Sequence, residues 1–216
     1  MGGNGWAGGI AAAVLSVGLV TAFIPAAVAQ QKNVVDDWSM VKAPPAPKLK
    51  DVKVDPKTTA LLVMDFNAIT CNNKRPRCMT AIPRVKMLLD KAKASHMLVI
   101  HTNFGSATKP AIVKDVAPMK GDAVVVGHAD KFYGTDLEKM LKSHGIKTVI
   151  ATGTAPNGAV LFTSFGAASR GYKVVVPVDT MPGSSAYAEQ ATAWNLAHDP
   201  GLGNMTTLTT ASRISF

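Results

Sequence analysis

With 216 residues, 47% of them hydrophobic and 17% charged, the chain has ample material for one globular domain and its core. Its formal charge of +9 comes from scattered lysines, Lys42, Lys57, Lys86 and Lys93 among them, without interleaved aromatics. That pattern reads as a solvated basic surface, compatible with an anionic small-molecule substrate, and it argues against a nucleic-acid partner.

Residues 1–29 read as an export signal. Gly8 to Pro25 is apolar and uncharged, and Ala27-Val28-Ala29 forms an A-x-A cleavage pattern before Gln30. No Lys or Arg precedes the apolar run, so an uncleaved anchor is the rival reading; Pro25 and the small-residue exit argue against it. The mature chain is therefore expected to be exported, periplasmic or secreted, with no membrane attachment after cleavage. Residues 30–57, rich in Lys, Pro and Asp, read as an extended arm, and residues 58–216 as the domain.

The first strand of that domain is Ala60-Leu61-Leu62-Val63-Met64, and it ends at Asp65. A carboxylate there lies at the carboxyl end of a buried strand, where open α/β sheets hold ligands; the rival reading is an Asp that caps a turn. Cys71 and Cys78 follow, separated by a polar loop. In an exported protein so close a pair is expected to form a disulfide, with a thiolate activated by Lys74, Arg75 and Arg77 as the alternative. Pro83 is expected to open a helix running to about Ser95, with Val85, Leu88 and Leu89 at helical spacing.

The second strand is Met97 to His101, and Phe104 to Gly121 reads as a loop punctuated by Pro110 and Pro118. The third strand, Ala123 to Val126, leads to His128, Lys131, Phe132 and Tyr133. Thr135 is then expected to cap a helix from Asp136 to His144, with Glu138 as its capping-box partner. The fourth strand, Thr148 to Ala151, stops at Gly153 and turns at Pro156 into a helix of small and apolar residues that ends at Gly171. Such an elbow presents unpaired N–H groups, and several folds set a nucleophile on it. Here it carries Gly158-Ala159, which offers none. The fifth strand is Lys173 to Val178, followed by Asp179 at a turn, a helix from about Ser185 to Ala197, and a short strand from Thr206 to Thr210. Apolar strands alternating with helices imply one three-layer α/β/α domain around a mostly parallel, Rossmann-like sheet.

With these elements placed, the chain resembles the isochorismatase-like hydrolase superfamily, which includes cysteine hydrolases such as nicotinamidases and N-carbamoyl amidases. The resemblance runs from about Thr58 to the C-terminus. It rests on the order and spacing of ALLVMDFN, DKFYGTDLEKMLKSHGIKTVI, GTAPNGAVLFT and RGYKVVVPVDTM. In that family an Asp after the first strand, a Lys after the third and a Cys at the elbow form the catalytic set. The resemblance puts Asp65 and Lys131 in the first two roles and lays the Cys position on Ala159. It also implies an oxyanion hole from the backbone N–H groups of Ala155 and Ala159, and a homo-oligomer. The metal-binding Asp and His residues of nicotinamidases have no matching motif, so neither a metal nor a cofactor is expected.

A methyl group cannot attack a carbonyl, so the family's acyl-enzyme route is closed at Ala159. The siderophore and phenazine isochorismatases also lack the cysteine, and the resemblance implies that they hydrolyse a vinyl ether with the Asp protonating the substrate. Three readings follow: a thiol-independent hydrolase, a non-catalytic binding protein on the same scaffold, and a site in which Cys71 replaces the lost thiol. Asn67, His101, His128, Gly158 and Phe132 are further candidates to line the pocket. Phe104, Phe132 and Tyr133 are read either as an aromatic wall or as core.

Overall fold

The computed structural model describes residues 2–3, 32–105 and 111–216. The rest of the export signal expected over residues 1–29 lies outside the described residues, as does 106–110 of the expected loop. The chain divides into two units, Met1–Ala43 and Pro44–Phe216. In the first, Val34–Asp37 (α1) forms one helical turn, capped by the Asn33 side chain, which accepts from Val35 N–H, while Asp36 reaches back to Asn33 N–H.

In the second unit, Val52–Lys53 (β1) is followed by Thr59–Met64 (β2), Pro76–Ala94 (α2), Leu98–Asn103 (β3) and Ala123–Val126 (β4). Leu137–Ser143 (α3), Thr148–Gly153 (β5), Leu161–Ser169 (α4) and Lys173–Pro177 (β6) come next, then Ala186–His198 (α5), Thr206–Thr209 (β7) and Ile214–Ser215 (β8). Strands β4-β3-β2-β5-β6-β7 form one sheet in that order, and every pairing within it is parallel.

Every residue of β2 is buried, which is why it reads as an unbroken apolar run rather than an alternating one. Leu62 and Met64 face one way, into a core shared with Val149, Val174, Leu137 of α3, Ala167 of α4 and Leu196 of α5. Leu61 and Val63 face the other way, onto Ile82, Val85, Leu88 and Leu89 of α2. Each such side chain removed from water contributes roughly 1.5–3 kcal/mol. The sheet is thus clamped between two helical layers.

Three expected boundaries shift. The helix expected to open at Pro83 begins instead at Pro76, where the missing N–H costs nothing, and Pro83 lies inside it. The buried stripe of α2 outweighs the one hydrogen bond that Pro83 cannot donate. The second strand continues past His101 to Asn103. Thr135 does not build a capping box with Glu138: its hydroxyl donates to Lys131 C=O at 2.5 Å and accepts from Leu137 N–H at 3.2 Å. Glu138 is held instead by Lys142 and Arg170. Part of the expected arm is also tied down. Lys50 N–H donates to Leu208 C=O, Thr209 Oγ1 donates to Lys50 C=O, and β1 pairs with β8. Asp179, expected to fix a turn, instead ties the segment after β6 to the one after β7, accepting from Ala211 N–H at 2.9 Å, and lies 3.6 Å from Arg84.

Cys71 and Cys78 are joined in a disulfide, and the chain has no free cysteine. The bond ties the loop after β2 to the first turn of α2. Closing so short a loop restricts the unfolded chain by about 2.5 kcal/mol. Reduction, or the Cys71→Ser/Cys78→Ser double variant, is expected to lower the unfolding free energy by that amount in urea titrations; an unchanged midpoint would contradict it.

Candidate active site

β3 and β5 lie on either side of β2, so the strand order reverses at the β2–β5 junction. A crevice opens outside the carboxyl ends of strands at such a point. Asp65 stands there, directly after β2, with φ of +60°, a left-handed conformation that Asp adopts more readily than most residues. Its backbone is held by four hydrogen bonds, one of them donated by Asn67 N–H to Asp65 C=O at 2.9 Å. Asp65 N–H donates to Thr102 C=O at 3.1 Å, and Asp65 C=O accepts from Thr70 Oγ1 at 2.5 Å and Thr154 Oγ1 at 3.3 Å.

Lys131, on the loop after β4, is wholly buried, and its Nζ lies 2.7 Å from Asp65 Oδ2. The two groups form an ion pair at contact distance. Lys131 N–H donates to Thr163 Oγ1 of α4 at 3.1 Å, which fixes the loop to the helix behind the site. On the other carboxylate oxygen, Oδ1 accepts from Thr102 Oγ1 at 2.9 Å. Burial pushes the Asp65 carboxyl above its ordinary range, and the Lys131 charge and Thr102 hydroxyl offset that only in part.

Asp65 lines a cavity of about 640 Å³ together with Thr70, Phe104, His128, Tyr133, Thr154, Ala155 and Ala159. Ala155 and Ala159 come from the elbow after β5, where the Thr154–Ala155 peptide is cis and Pro156–Val160 makes a single π-helical turn ahead of α4. The arrangement brings a carboxyl, the hydroxyl-bearing Thr70 and Thr154, and the methyls of Ala155 and Ala159 to one cavity, with the Lys131 ammonium and the Thr102 hydroxyl buried behind the carboxyl. It can give and take a proton; it presents no thiol.

Of the sequence-derived candidates, Asp65, Ala155, Ala159 and His128 line this cavity, and Lys131 backs it. His128 lies against Tyr133, with ring centroids 5.8 Å apart. Four others sit elsewhere. Phe132 is buried against Tyr172 with Arg170 over its ring at 4.5 Å, so it packs the core while exposed Tyr133 faces the cavity. Asn67 is buried and structural: its Oδ1 accepts from Ile69 and Thr70 N–H, and its Nδ2 donates to Asn103 Oδ1. Gly158 sits within the elbow turn, with its N–H on Ala155 C=O, and does not reach the cavity wall.

His101 lies within β3, fully buried, and faces Asp122 and Lys93 instead of the cavity. Cys71 and Cys78 are absent from the cavity lining. Thr70, Thr102 and Thr154 went unread in the sequence. The only signal for Thr102 was the change from apolar to polar at the end of the second strand.

Residues 59–211 match the isochorismatase domain, and the chain belongs to the isochorismatase-like hydrolase family. A stretch of 67 residues is 36% identical to the N-carbamoylsarcosine amidase of an Arthrobacter species, covering 31% of this chain and a quarter (25%) of that enzyme. Among solved structures, a cysteine hydrolase from Pseudomonas syringae superposes with a TM-score of 0.67 at 20% identity, over 77% of this chain and 94% of that one. An isochorismatase family protein from Desulfovibrio vulgaris does so with a TM-score of 0.66 at 19% identity, over 72% and 95%. These structures share the α/β fold with its parallel central sheet.

His101 sets a pH limit on stability. Burial pulls its pKa from the ordinary 6.5 down to about 4, outweighing Asp122, 3.5 Å away, whose charge is already engaged by Lys93 at 2.5 Å. The unfolded chain therefore takes up a proton near pH 6.5 that the folded chain refuses until about pH 4. Stability present above pH 6.5 is expected to fall across that window by on the order of 3 kcal/mol. His101→Gln should flatten the fall in urea midpoints between pH 7 and pH 4.5; an equally steep fall in the variant would contradict this.

Proposed function

We propose that this family member hydrolyses a small molecule without a cysteine nucleophile, using Asp65 as general acid and base. One observation supports the reading: Asp65, ion-paired to a buried lysine, lines the same cavity as the methyl of Ala159, the residue on which the resemblance lays the family's cysteine. A methyl forms no covalent intermediate, so bond cleavage must proceed by proton transfer and direct addition of water.

For an enol ether the steps balance as follows. Neutral Asp65 gives its proton to the substrate carbon, water adds to the resulting oxocarbenium carbon, and Asp65 takes the proton that the water sheds. The hemiketal then splits into an alcohol and a carbonyl compound. Lys131 and Thr102 stabilise the carboxylate left between the two transfers. The disulfide supports work in an oxidising compartment, as the export signal would require.

The acid form of Asp65 starts the reaction. Because burial raises its pKa, that form persists to higher pH than in a free aspartate, and kcat/KM is expected to fall as pH rises through the raised value. In a screen of enol ethers, esters and amides, Asp65→Asn should lower kcat at least about a hundredfold with the fold intact. Unchanged turnover would remove Asp65 from the chemistry. No turnover by the parent chain, together with a ligand-induced rise in Tm, would assign the cavity to binding alone.

A further inference from the structure

The acid that starts the proposed reaction is a neutral Asp65, and neutralising it changes the charge of a buried pair. Lys131 Nζ lies 2.7 Å from Asp65 Oδ2, and the two side chains are 0% and 6% exposed. While both are ionised, their charges cancel. Once Asp65 takes a proton, the ammonium keeps its charge and loses its partner, in surroundings where an uncompensated charge is costly. Only another anion close by can restore the balance.

The elements packed around Asp65 do not bring one. Among the described residues Lys131 is the charged group set against the carboxyl; β3, the segment after β5 and the loop after β2 bring the hydroxyls of Thr102, Thr154 and Thr70. Asp65 is also the one acid among the described residues of the cavity wall, whose other titratable side chains are His128 and Tyr133. The cavity itself, about 640 Å³, is where a negative charge can be seated. A group placed against Asp65 there is separated from the Lys131 ammonium by the thickness of one carboxyl. At that range, with bulk water excluded, the ammonium attracts an anion strongly and an ionised Asp65 repels it as strongly.

We propose that the substrate carries a carboxylate, and that seating this anion in the cavity drives a proton from solvent onto Asp65. The inference rests on the reading of Asp65 as the general acid. Charge balances at each stage: the resting site holds a neutral ion pair, the incoming anion adds one negative charge, and the proton cancels it. Lys131 exchanges one carboxylate partner for another, like for like. The substrate thereby arms the acid that cleaves it, and an empty site keeps its charges paired. The basic surface of the chain, with a formal charge of +9, draws such an anion from solution.

Calorimetric titration of the full chain with benzoate, and with benzamide as its uncharged counterpart of similar shape, tests this without turnover. In paired buffers of different ionisation enthalpy between pH 6 and pH 9, benzoate binding is expected to take up a proton, approaching one per molecule. Its affinity should weaken toward about tenfold per pH unit as pH rises. Benzamide should bind more weakly and take up none. Infrared difference spectra of the parent chain with carbon-13-labelled benzoate should gain the carbonyl band of a protonated carboxylic acid, which a proton on His128 would not give. Asp65→Asn imitates the neutral acid, so at pH 8 it should bind benzoate at least about tenfold more tightly than the parent, without proton uptake. Binding without uptake, uptake without the carboxylic-acid band, equal affinity for benzoate and benzamide, or no binding of either would overturn the proposal, and all four are read on the parent chain even if the variant does not fold. Uptake as expected, in a chain whose turnover survives Asp65→Asn, would keep the coupling and remove Asp65 from the chemistry.

Discussion

The ion pair between Asp65 and Lys131 is the constraint to which the surrounding structure answers. Two opposite charges are taken almost wholly out of water, and neither could stand there alone. The desolvation of such a pair costs several kcal/mol per ion, and their attraction offsets that only if both are held at contact distance. The fold supplies the holding. β2 delivers Asp65 to the reversal in strand order, Thr70, Thr102 and Thr154 fix its backbone and one oxygen, and Thr163 anchors the loop that carries Lys131.

The same need accounts for features that look remote from the site. The loop after β2 is folded back by the Asn67 side chain and by Thr70. That loop runs directly into Cys71, whose bond to Cys78 ties it to α2. The disulfide thus stiffens the seat of Asp65 rather than supplying a reactive sulfur. Behind Lys131, the α4 layer is built from small residues where the elbow comes close, and Gly166 admits Asp130 and Phe132 where a Cβ would meet Asp130 Oδ1 at 2.8 Å. Packing, rather than a dedicated binding segment, places the charges.

Much of this was legible from residues alone. Apolar runs at 60–64, 148–151 and 173–178 announce strands covered on both faces, the run at 123–126 proves to be an edge strand with Val124 exposed, and the polar residue closing the first run marks the carboxyl end of the sheet. Lys131 needed more than periodicity, because a lysine in a loop ordinarily reads as surface; only a resemblance placed it next to Asp65. Phe132 and Tyr133 could not be told apart, since neighbouring residues in a loop face opposite ways and nothing local says which side is core. His101 was misplaced because the strand continues to Asn103, turning a strand-end histidine into an interior one. Asn67 looked like a site residue because a buried turn uses the same polar side chains that a site does. The hydroxyls around Asp65 were invisible for a related reason: threonine is common in strands, and the bond it makes is set by a partner from another element.

A double-mutant cycle on unfolding free energy tests the pair most directly. Asp65→Asn and Lys131→Met each strand one buried charge, so each should cost about 3–5 kcal/mol, whereas the double variant strands neither and should be more stable than either single variant. Losses that simply add in the double variant would mean that the two side chains do not depend on each other, and the account built on their pairing would be wrong.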